Sequence, residues 1–384
     1  MRILNVTVLL DPVWGGGTAE RTYQMSKAFI KQGCECTILT TDVGLNNERI
    51  ASLKGVNVVA LPCIFKRFFV VTFSFKQIKK LVSNVDIIHF MGHWNMLNVV
   101  IYFFAKRLAK PYVICPAGEL TLFGRSIFIK KLFNTIIGKK IIRDASGYIV
   151  VTPDEIAAFE KYHVKRDRVV VIPNGINEAD FIPTEPPLFA SRLGIEGYPF
   201  ILFMGRLNLI KGPDLLLKAF INVFEKISNY HLVFAGPDGG MLSELRKVAS
   251  HSGIANRIHF VGYVKGVDKA NAYKEADLLV IPSRQEAMSI VVLEAGVLST
   301  PVLLTDQCGF DEIEKKNGGL VVEVTVPSLE QGLLKLLSEP LILKTMGENL
   351  KEYVIQNYTW ELIAKKYLVF FQQVVNVSKA THQE

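Results

Sequence analysis

Residues 200–227 read FILFMGRLNLIKGPDLLLKAFINVFEKI, and this stretch decides the predicted fold. The apolar run Phe200–Met204 predicts a strand covered on both faces, as in a parallel sheet. After a loop, apolar residues recur with the spacing of one helix face: Leu215, Leu216, Ala219, Phe220, Val223, Phe224 and Ile227. Pro213 falls in the first helical turn, where proline is tolerated. The stretch therefore predicts a strand, a loop and a helix in succession.

The same alternation of short apolar runs and helical patterns extends along the whole chain. Further strands are predicted at Ile3–Leu10, Cys36–Thr41, Val56–Leu61, Ile87–Phe90, Tyr112–Cys115, Tyr148–Val151, Val169–Ile172, His231–Ala235, Ile258–Val261, Leu278–Ile281, Val302–Leu304 and Leu320–Val322. The segment Pro173–Pro199 is rich in proline and predicts an irregular linker. The predicted class is α/β, with two Rossmann-like doubly wound domains facing a central cleft.

Length and composition exclude several classes of protein. The chain has 384 residues, of which 49% are hydrophobic and 21% charged, so two domains with cores of their own are expected and disorder is excluded. No apolar run approaches the ~20 residues of a membrane-spanning helix, and the N-terminus predicts a strand rather than a signal peptide. The five cysteines have no metal-binding spacing, so we expect reduced core thiols and a cytoplasmic protein.

Charge is distributed unevenly between the two halves. Residues 1–173 carry 24 Lys and Arg against 12 Asp and Glu, whereas residues 174–384 carry 20 against 24. Two stretches of the basic half, 65–80 and 125–143, mix lysines and arginines with phenylalanine, leucine and isoleucine. This mixture fits an anionic membrane surface, which predicts a peripheral location on the inner face of the membrane. It also fits two ordinary surface helices with solvated lysines. Nucleic acid is not expected, because no binding motif accompanies the charge.

Two loops that follow predicted strands have the composition of anion sites. Gly15, Gly16 and Gly17 stand between the first strand and a helical run, where free amides suit an anion, although a glycine-rich turn is often only a turn. Arg206 and Lys211 follow the strand Phe200–Met204, at the strand end where parallel sheets bind ligands. A guanidinium and an ammonium together suit a diphosphate, while two solvated loop cations are the plainer alternative.

The third motif, residues 283–295, contains two carboxylates. Glu286 is predicted in a loop, where it can accept hydrogen bonds from sugar hydroxyls, and Glu294 on the following helix, where it can bind a vicinal diol. The amides of Ser289, Ile290 and Val291 are expected near the N-terminus of that helix, which favours phosphate. Two glutamates at this spacing are common by chance. Their position downstream of Arg206 and Lys211 favours a role for both glutamates in a ligand-binding site.

Taken in order, these motifs resemble the retaining glycosyltransferases of family 4, which have the GT-B fold. The matching segments are Gly15–Gly17, Ile172–Ile176, Gly205–Leu207 with Lys211–Gly212, Phe260–Val264, Glu286–Glu294 and Thr300–Asp306. The resemblance divides the chain into an acceptor-binding domain, 1–173, and a nucleotide-sugar donor domain, 174–358. It also implies a final helix, 359–384, that crosses back to the first domain.

The resemblance also implies roles for individual residues. Arg206 and Lys211 would hold the donor diphosphate, Glu294 the ribose, Glu286 the donor sugar and Val264 the nucleobase. Gly205 and Asn174 lie in matching motifs and join the predicted donor-binding set. Where many relatives have a histidine before a glycine, this chain has Ala117, which cannot hydrogen-bond a sugar. Contacts there are therefore expected from the backbone, Glu119 or His93, although His93 is also explained as a packed imidazole.

The sequence thus predicts transfer of a sugar from a nucleotide diphosphate-sugar to an acceptor hydroxyl, with retention of configuration. The acceptor is expected to be a lipid-linked or membrane-surface glycan, in polysaccharide or glycolipid biosynthesis. No Asp-x-Asp motif occurs, so neither a metal ion nor another cofactor is predicted. Two alternatives stay open: a non-hydrolysing sugar-nucleotide epimerase of the same fold, and a catalytically idle membrane-associated binding protein.

Overall fold

The chain forms two compact α/β units. A computed structural model describes residues 1–120 and 127–381; Arg125 and the last three residues of the predicted final helix lie outside the described residues. Unit 1 comprises Met1–Gly175 together with the chain from Trp360 onward, and unit 2 comprises Ile176–Thr359. The unit boundary falls two residues after the predicted one at 173/174, so that Asn174 lies in unit 1.

Unit 1 is built on a seven-stranded parallel sheet with the order β3-β2-β1-β6-β7-β8-β9. The strands are β1 (Arg2–Val6), β2 (Glu35–Thr41), β3 (Asn57–Leu61), β6 (Ile87–Met91), β7 (Tyr112–Cys115), β8 (Gly147–Val150) and β9 (Val169–Val171). The chain winds outward from β1 in one direction and then from β6 in the other. The switch point between β1 and β6 is therefore where ligands bind in such sheets.

Helices cover the sheet of unit 1, and an antiparallel hairpin, β4 (Cys63–Phe65) and β5 (Val70–Val71), stands apart from it. The helices are α1 (Pro12–Lys31), α2 (Asn47–Ala51), α3 (Phe75–Ser83), α4 (Met96–Arg107), α5 (Ile127–Phe133), α6 (Lys139–Arg143), α7 (Ile156–Glu160) and, from the end of the chain, α16 (Trp360–Thr381). A turn of π-helix, Asn134–Gly138, joins α5 to α6.

A buried arginine ties the last helix to α1 and to the segment that follows β9. The guanidinium of Arg21, on α1, donates hydrogen bonds to the side-chain oxygen of Asn174, the hydroxyl of Tyr367 on α16 and, at 2.8 Å, the carbonyl of Ile172. Arg21 is only 1% exposed, so these partners replace water at the two terminal nitrogens of the guanidinium. The anchor explains why the chain around Asn174 packs with unit 1.

Unit 2 is a six-stranded parallel sheet with the order β12-β11-β10-β13-β14-β15. Its strands are β10 (Phe200–Met204), β11 (His231–Ala235), β12 (Ile258–Gly262), β13 (Leu278–Ile281), β14 (Val302–Thr305) and β15 (Gly319–Val322). Its helices are α8 (Phe189–Arg192), α9 (Pro213–Val223), α10 (Leu242–Ser250), α11 (Gly266–Glu275), α12 (Ile290–Val297), α13 (Glu312–Lys315), α14 (Val326–Leu337) and α15 (Pro340–Asn357). The switch point lies between β10 and β13.

The α/β class with two Rossmann-like domains is confirmed, and each predicted strand corresponds to a strand of one of the two parallel sheets. The largest error in predicted strand length is at the first strand, which ends at Val6 rather than Leu10. The hairpin β4–β5 was not predicted, because its residues occur among charged and aromatic side chains without alternation. The helix that begins at Pro213 ends at Val223 and continues as a 3-10 turn, Phe224–Lys226.

Three buried histidines are held in the neutral form. Burial lowers the pKa of His89 to about 3 and that of His93 and His231 to about 4. In unit 2, Arg257 lies 2.8 Å from Nε2 of His231 and can only donate, so that nitrogen accepts. Nδ1 of His231 then donates to Nε2 of His259 at 2.8 Å. Protonation of His231 would break this chain of hydrogen bonds.

We therefore expect acid to destabilise the protein well above the pH at which most carboxylates titrate. The folded-state pKa of His231, about 4, lies below its ordinary value of 6.5, so the unfolded chain binds the proton first and the free energy of unfolding falls as pH decreases between these values. Urea midpoints at pH 7.5 and 5.5 measure the effect. The loss should be smaller in His231→Gln than in the exposed control His251→Gln. Equal losses in both variants would contradict the assignment.

Candidate functional site

In unit 2 the loop after β10 is pressed against the residues that follow β13. Gly212 has a positive φ of 68°, and a Cβ there would lie 2.0 Å from the carbonyl oxygen of Pro282. Only glycine allows this approach. Because the loop lies so close to the end of β13, Lys211 reaches Glu286, with Nζ 2.8 Å from Oε2. The two charged groups meet at the carboxyl ends of β10 and β13, at the switch point of the sheet.

Arg284 also holds the same loop in place. Its guanidinium binds both carboxylate oxygens of Asp214, at 2.9 and 2.6 Å, and donates to the carbonyl of Leu209 at 2.6 Å. Its backbone amide donates to the carbonyl of Ile210 at 2.7 Å. A bidentate arginine–carboxylate pair has a fixed geometry. Arg284 therefore fixes the position of Lys211, a role that the sequence analysis missed because contact across the loops is not visible in residue order.

The carboxylate of Glu286 is not free, contrary to the prediction of an open acceptor for sugar hydroxyls. Besides Lys211, it accepts a hydrogen bond from the hydroxyl of Ser283, and its side chain is only 9% exposed. Each carboxylate oxygen retains a second lone pair, so further hydrogen bonds are possible. The ammonium of Lys211 likewise has two more protons to donate. Glu286 and Lys211 thus form one preset polar pair.

Glu294 has partners that the sequence analysis did not identify. Nζ of Lys269 lies 2.6 Å from Oε1, and the hydroxyl of Tyr273 donates to Oε2 at 2.6 Å. Lys269 and Tyr273 are four residues apart on α11, so they lie on one face of that helix. This i, i+4 spacing is visible in the sequence, but it indicates a shared contact with Glu294 only once α11 is known to pack beside α12. Glu294 itself is buried, with an exposed fraction of 6%.

One amide predicted to bind phosphate, that of Ser289, is already engaged: it donates to the carbonyl of Cys308 at 3.0 Å. In the predicted donor-binding set, the amide of Gly205 also has a partner, the carbonyl of Ala235 at 2.9 Å. Ile290 and Val291 are the first two residues of α12, and amides at these positions have no carbonyl partner within the helix. The hydroxyl of Ser289 is buried without a partner in the described part of the chain. The predicted Ser289 contribution is therefore corrected from its amide to its hydroxyl.

Arg206 follows β10, and Val264 follows β12. Arg206 is half-buried, and its stem lies against Gly239, where a Cβ would be 2.9 Å from Cγ of Arg206. The loop is held by a hydrogen bond from Leu207 to Pro237 and a return bond from Gly239 to Leu207, both 3.0 Å. Val264 is half-buried between β12 and α11. Both residues follow strands at the carboxyl edge of the sheet, as predicted for ligand contacts.

In unit 1 the structure brings together His93 and Glu119. A carboxylate oxygen of Glu119 accepts the backbone amide of His93 at 2.6 Å, and the backbone carbonyl of Glu119 accepts Nε1 of Trp94 at 2.6 Å. Gly92 makes room for the carboxylate, since a Cβ there would lie 2.9 Å from it. Burial raises the pKa of Glu119. These residues follow β6 and β7, at the carboxyl edge of the sheet.

The imidazole of His93 is packed and also has an unused nitrogen. Nε2 lies 3.2 Å from Oδ1 of Asn134, whose amide nitrogen donates to the hydroxyl of Tyr162 at 2.7 Å. This network assigns the proton to Nε2, which leaves Nδ1 as an acceptor. Nδ1 is buried and has no partner among residues 1–120 and 127–381. His93 is therefore both a packed imidazole and a candidate group for binding a ligand.

Ala117 occupies a tight turn that positions Glu119. Ala117 and Gly118 have consecutive positive φ angles of 50° and 86°. The amide of Gly118 donates to the carboxylate of Glu155 at 2.5 Å, and the other oxygen of Glu155 accepts the amide of Val151 at 2.9 Å. Burial raises the pKa of Glu155. Glu155 thus connects the ends of β7 and β8, a function that no sequence pattern indicated.

Two further predicted binding residues have other contacts. Gly15 lies inside α1, and its amide donates to the carbonyl of Asp11 at 2.9 Å, so the predicted free amide is wrong for this residue. The helix is broken at Gly16, where φ is 55° and ψ is −141°, and it resumes at Gly17. The side-chain oxygen of Asn174 accepts the buried guanidinium of Arg21, which makes Asn174 a structural residue of unit 1.

Comparisons with known proteins agree with this architecture. Two family models match in succession: Glycosyltransferase Family 4 over residues 15–180 and Glycosyl transferases group 1 over residues 188–354. An uncharacterized glycosyltransferase of Methanocaldococcus jannaschii is 28% identical over 386 residues, covering 95% of this chain and 96% of that protein. A D-inositol 3-phosphate glycosyltransferase of Nocardia farcinica is 30% identical over 179 residues, 44% of this chain and 40% of its own length.

The solved structure of Anabaena HepE in complex with UDP and glucose superposes with a TM-score of 0.78 at 17% identity, covering 97% of this chain and all of that one. Two parallel-sheet Rossmann-like domains and these matches define a glycosyltransferase of the GT-B type. The chain belongs to glycosyltransferase family 4, with one family model on each domain. This assignment favours the transferase over the epimerase and the idle binding protein.

Removal of the Arg284 clamp should loosen the loop that contains Lys211. Arg284→Ala deletes its side-chain hydrogen bonds to Asp214 and Leu209, and hydrogen bonds with charged groups contribute about 1.5–3 kcal/mol each. We expect amide hydrogen exchange in residues 207–212 to accelerate at least tenfold, while the exposed control Arg246→Ala leaves it unchanged. Unaltered exchange in Arg284→Ala would show that the loop is held by its backbone contacts alone.

Proposed function

We propose that the protein transfers a glycosyl group from a nucleotide diphosphate-sugar to an acceptor hydroxyl with retention of anomeric configuration. The observation that carries the proposal is the Lys211–Glu286 pair at the switch point of unit 2, beside the N-terminus of α12. An ammonium and unpaired helix amides suit a diphosphate. HepE, which has the same fold, is described in complex with UDP and glucose, which supports a nucleotide-sugar donor.

In the proposed reaction the bond between the anomeric carbon and the donor phosphate oxygen breaks, and a bond to the acceptor oxygen forms on the same face. The acceptor proton passes to the departing phosphate, so the products are a nucleoside diphosphate and the glycoside. Lys211, Arg206, the hydroxyl of Ser289 and the amides of Ile290 and Val291 would stabilise the negative charge on the leaving group. Glu286 would orient the donor sugar while holding Lys211. The proposed reaction uses no metal ion or other cofactor.

We assign acceptor recognition to the carboxyl edge of unit 1. Nδ1 of His93 has no hydrogen-bond partner within the described part of unit 1 or unit 2, and Glu119, whose pKa is raised by burial, accepts the backbone amide of His93. Trp94 packs edge-on against His93, with ring centroids 4.5 Å apart, and the ammonium of Lys130 lies 5.6 Å from the Trp94 ring centroid. An aromatic ring with hydrogen-bonding groups around it suits a sugar. The Gly16–Gly17 segment remains a predicted contact for the donor.

The proposed acceptor is a lipid-linked or membrane-surface glycan. The helix α5 lies within the basic and apolar stretch 125–143. Its Phe128 is 77% exposed, and Ile136, in the adjoining π-turn, is 70% exposed. Lys130 and Lys131 lie on the same short helix, whose last residue, Phe133, packs on His93 and Trp94. Apolar side chains with lysines beside the acceptor residues fit an anionic lipid surface. No helix in the described ranges is long and apolar enough to cross a membrane.

Substitution of the proposed diphosphate ligands should reduce the rate of transfer. Lys211→Ala and Arg206→Ala each remove a cation from the leaving group, and loss of one charge-stabilising donor reduces kcat by on the order of 10²-fold or more. Lys218→Ala, an exposed lysine on α9, is the matched control. Donors are found by a thermal-shift screen of uridine, guanosine, adenosine and thymidine diphosphate sugars. Near-normal turnover by both variants would refute these roles, and inversion of the anomeric carbon in the product NMR spectrum would refute retention.

Membrane binding should depend on α5 and not on exposed apolar residues in general. Phe128→Ser combined with Lys130→Glu and Lys131→Glu removes an apolar contact and reverses two charges, so we expect flotation with vesicles containing anionic lipid to fall at least tenfold. Leu341→Ser, at a site 84% exposed in unit 2, should bind as the wild type does. Failure of the wild type to bind anionic vesicles at low salt would exclude a membrane-surface acceptor of this kind.

A further inference from the structure

We propose that Lys269 is a positioning residue that presets Glu294 for the vicinal diol of a ribonucleoside diphosphate, and thereby selects ribose over 2′-deoxyribose. The inference rests on the proposed function and extends it to a residue outside the motifs identified in the sequence. Lys269 is on α11, whereas Glu294 is on α12. Their contact, 2.6 Å between Nζ and Oε1, exists only through the packing of these helices.

The geometry fixes the plane of the Glu294 carboxylate. Lys269 binds one oxygen and the Tyr273 hydroxyl binds the other, each at 2.6 Å. Each oxygen then has one lone pair engaged and one remaining. Two neighbouring oxygens with defined free lone pairs match two neighbouring hydroxyl donors. A carboxylate held in one orientation also loses less conformational freedom when a ligand binds.

The surroundings of each group make this orientation rigid. Tyr273 is fully buried, and its backbone carbonyl accepts the hydroxyl of Thr300 at 2.6 Å. The ammonium of Lys269 lies 5.7 Å from the centroid of the Phe181 ring and is partly shielded, with 27% of the side chain exposed. A cation between a carboxylate and an aromatic face is held on both sides. Lys269 therefore has a defined position rather than a mobile surface location.

Charge gives Lys269 a second effect on the same ligand. A lone carboxylate beside a nucleoside diphosphate would repel its phosphates, and the repulsion is strong where water is excluded. The ammonium of Lys269 cancels the charge of Glu294 while leaving its acceptor lone pairs. In the same unit Lys211 pairs with Glu286. Both carboxylates of the motif are thus paired with a lysine, and neither pairing was predicted from the sequence.

The test measures binding of UDP and of 2′-deoxy-UDP by isothermal titration calorimetry, with GDP and 2′-deoxy-GDP as the second pair. Lys269→Met keeps the apolar stem and removes the ammonium. We expect it to weaken binding of the ribonucleotide about tenfold more than binding of the 2′-deoxynucleotide, because the uncancelled charge of Glu294 affects both ligands and the loss of its fixed orientation affects only the diol. Tyr273→Phe should act in the same direction, while Lys269→Arg should retain the preference of the wild type. Lys274→Met, an exposed lysine on the same helix, is the control.

The outcomes separate this inference from the proposed function. If wild-type protein binds none of these nucleoside diphosphates, the proposed function itself fails. If the wild type binds them but Lys269→Met weakens ribo- and deoxyribonucleotides equally, or neither, Lys269 has no role in recognising the diol and the inference is overturned. Thermal unfolding of each variant verifies that it is folded. A variant that unfolds is replaced by Lys269→Gln, for which the same selective loss is expected.

Discussion

The close approach of Gly212 to the carbonyl of Pro282 is the constraint on which the candidate donor site depends. The loop after β10 can lie against the end of β13 only because position 212 has no side chain and a left-handed backbone. Arg284 and Asp214 then hold the loop in place, and Lys211 reaches Glu286 as a consequence. The ion pair therefore results from backbone packing. The packing brings the ends of β10 and β13 together, and Lys211 and Glu286 lie on the loops that follow these two ends.

A second constraint organises unit 1 in a comparable way. Arg21 is fully buried and binds the end of β9, Asn174 and the last helix through Tyr367. Aromatic contacts of Tyr367 with Phe29 and His89 complete the packing of α16 on this unit. A buried guanidinium without its partners would be costly, so its network defines where the chain re-enters the unit. The carboxyl edge that holds His93 and Glu119 is built on the same sheet.

In both candidate sites, the carboxylates have fewer hydrogen-bonding positions open to a ligand than isolated carboxylates have. Glu286, Glu294 and Glu119 all have partners before any ligand binds. Carboxylates that are already oriented in this way lose little conformational freedom when they accept hydrogen bonds from a ligand. The corrections at Gly15 and Ser289 have a similar cause, since their amides complete the local backbone structure.

The amino-acid sequence by itself determined the α/β class, the two successive sheets and the order of the motifs, because apolar strand runs and helical periodicity are local properties. It also predicted Lys211 and Glu286 as candidate site residues, because loops that follow parallel strands carry the ligand-binding groups, and Glu294 from its position on the helix that follows. Only the tertiary structure decided that Lys269 and Tyr273 bind Glu294, that Arg284 clamps the loop and that Glu155 supports the turn at Gly118. These contacts join residues of different elements, and the distance between them is fixed by packing rather than by position along the chain.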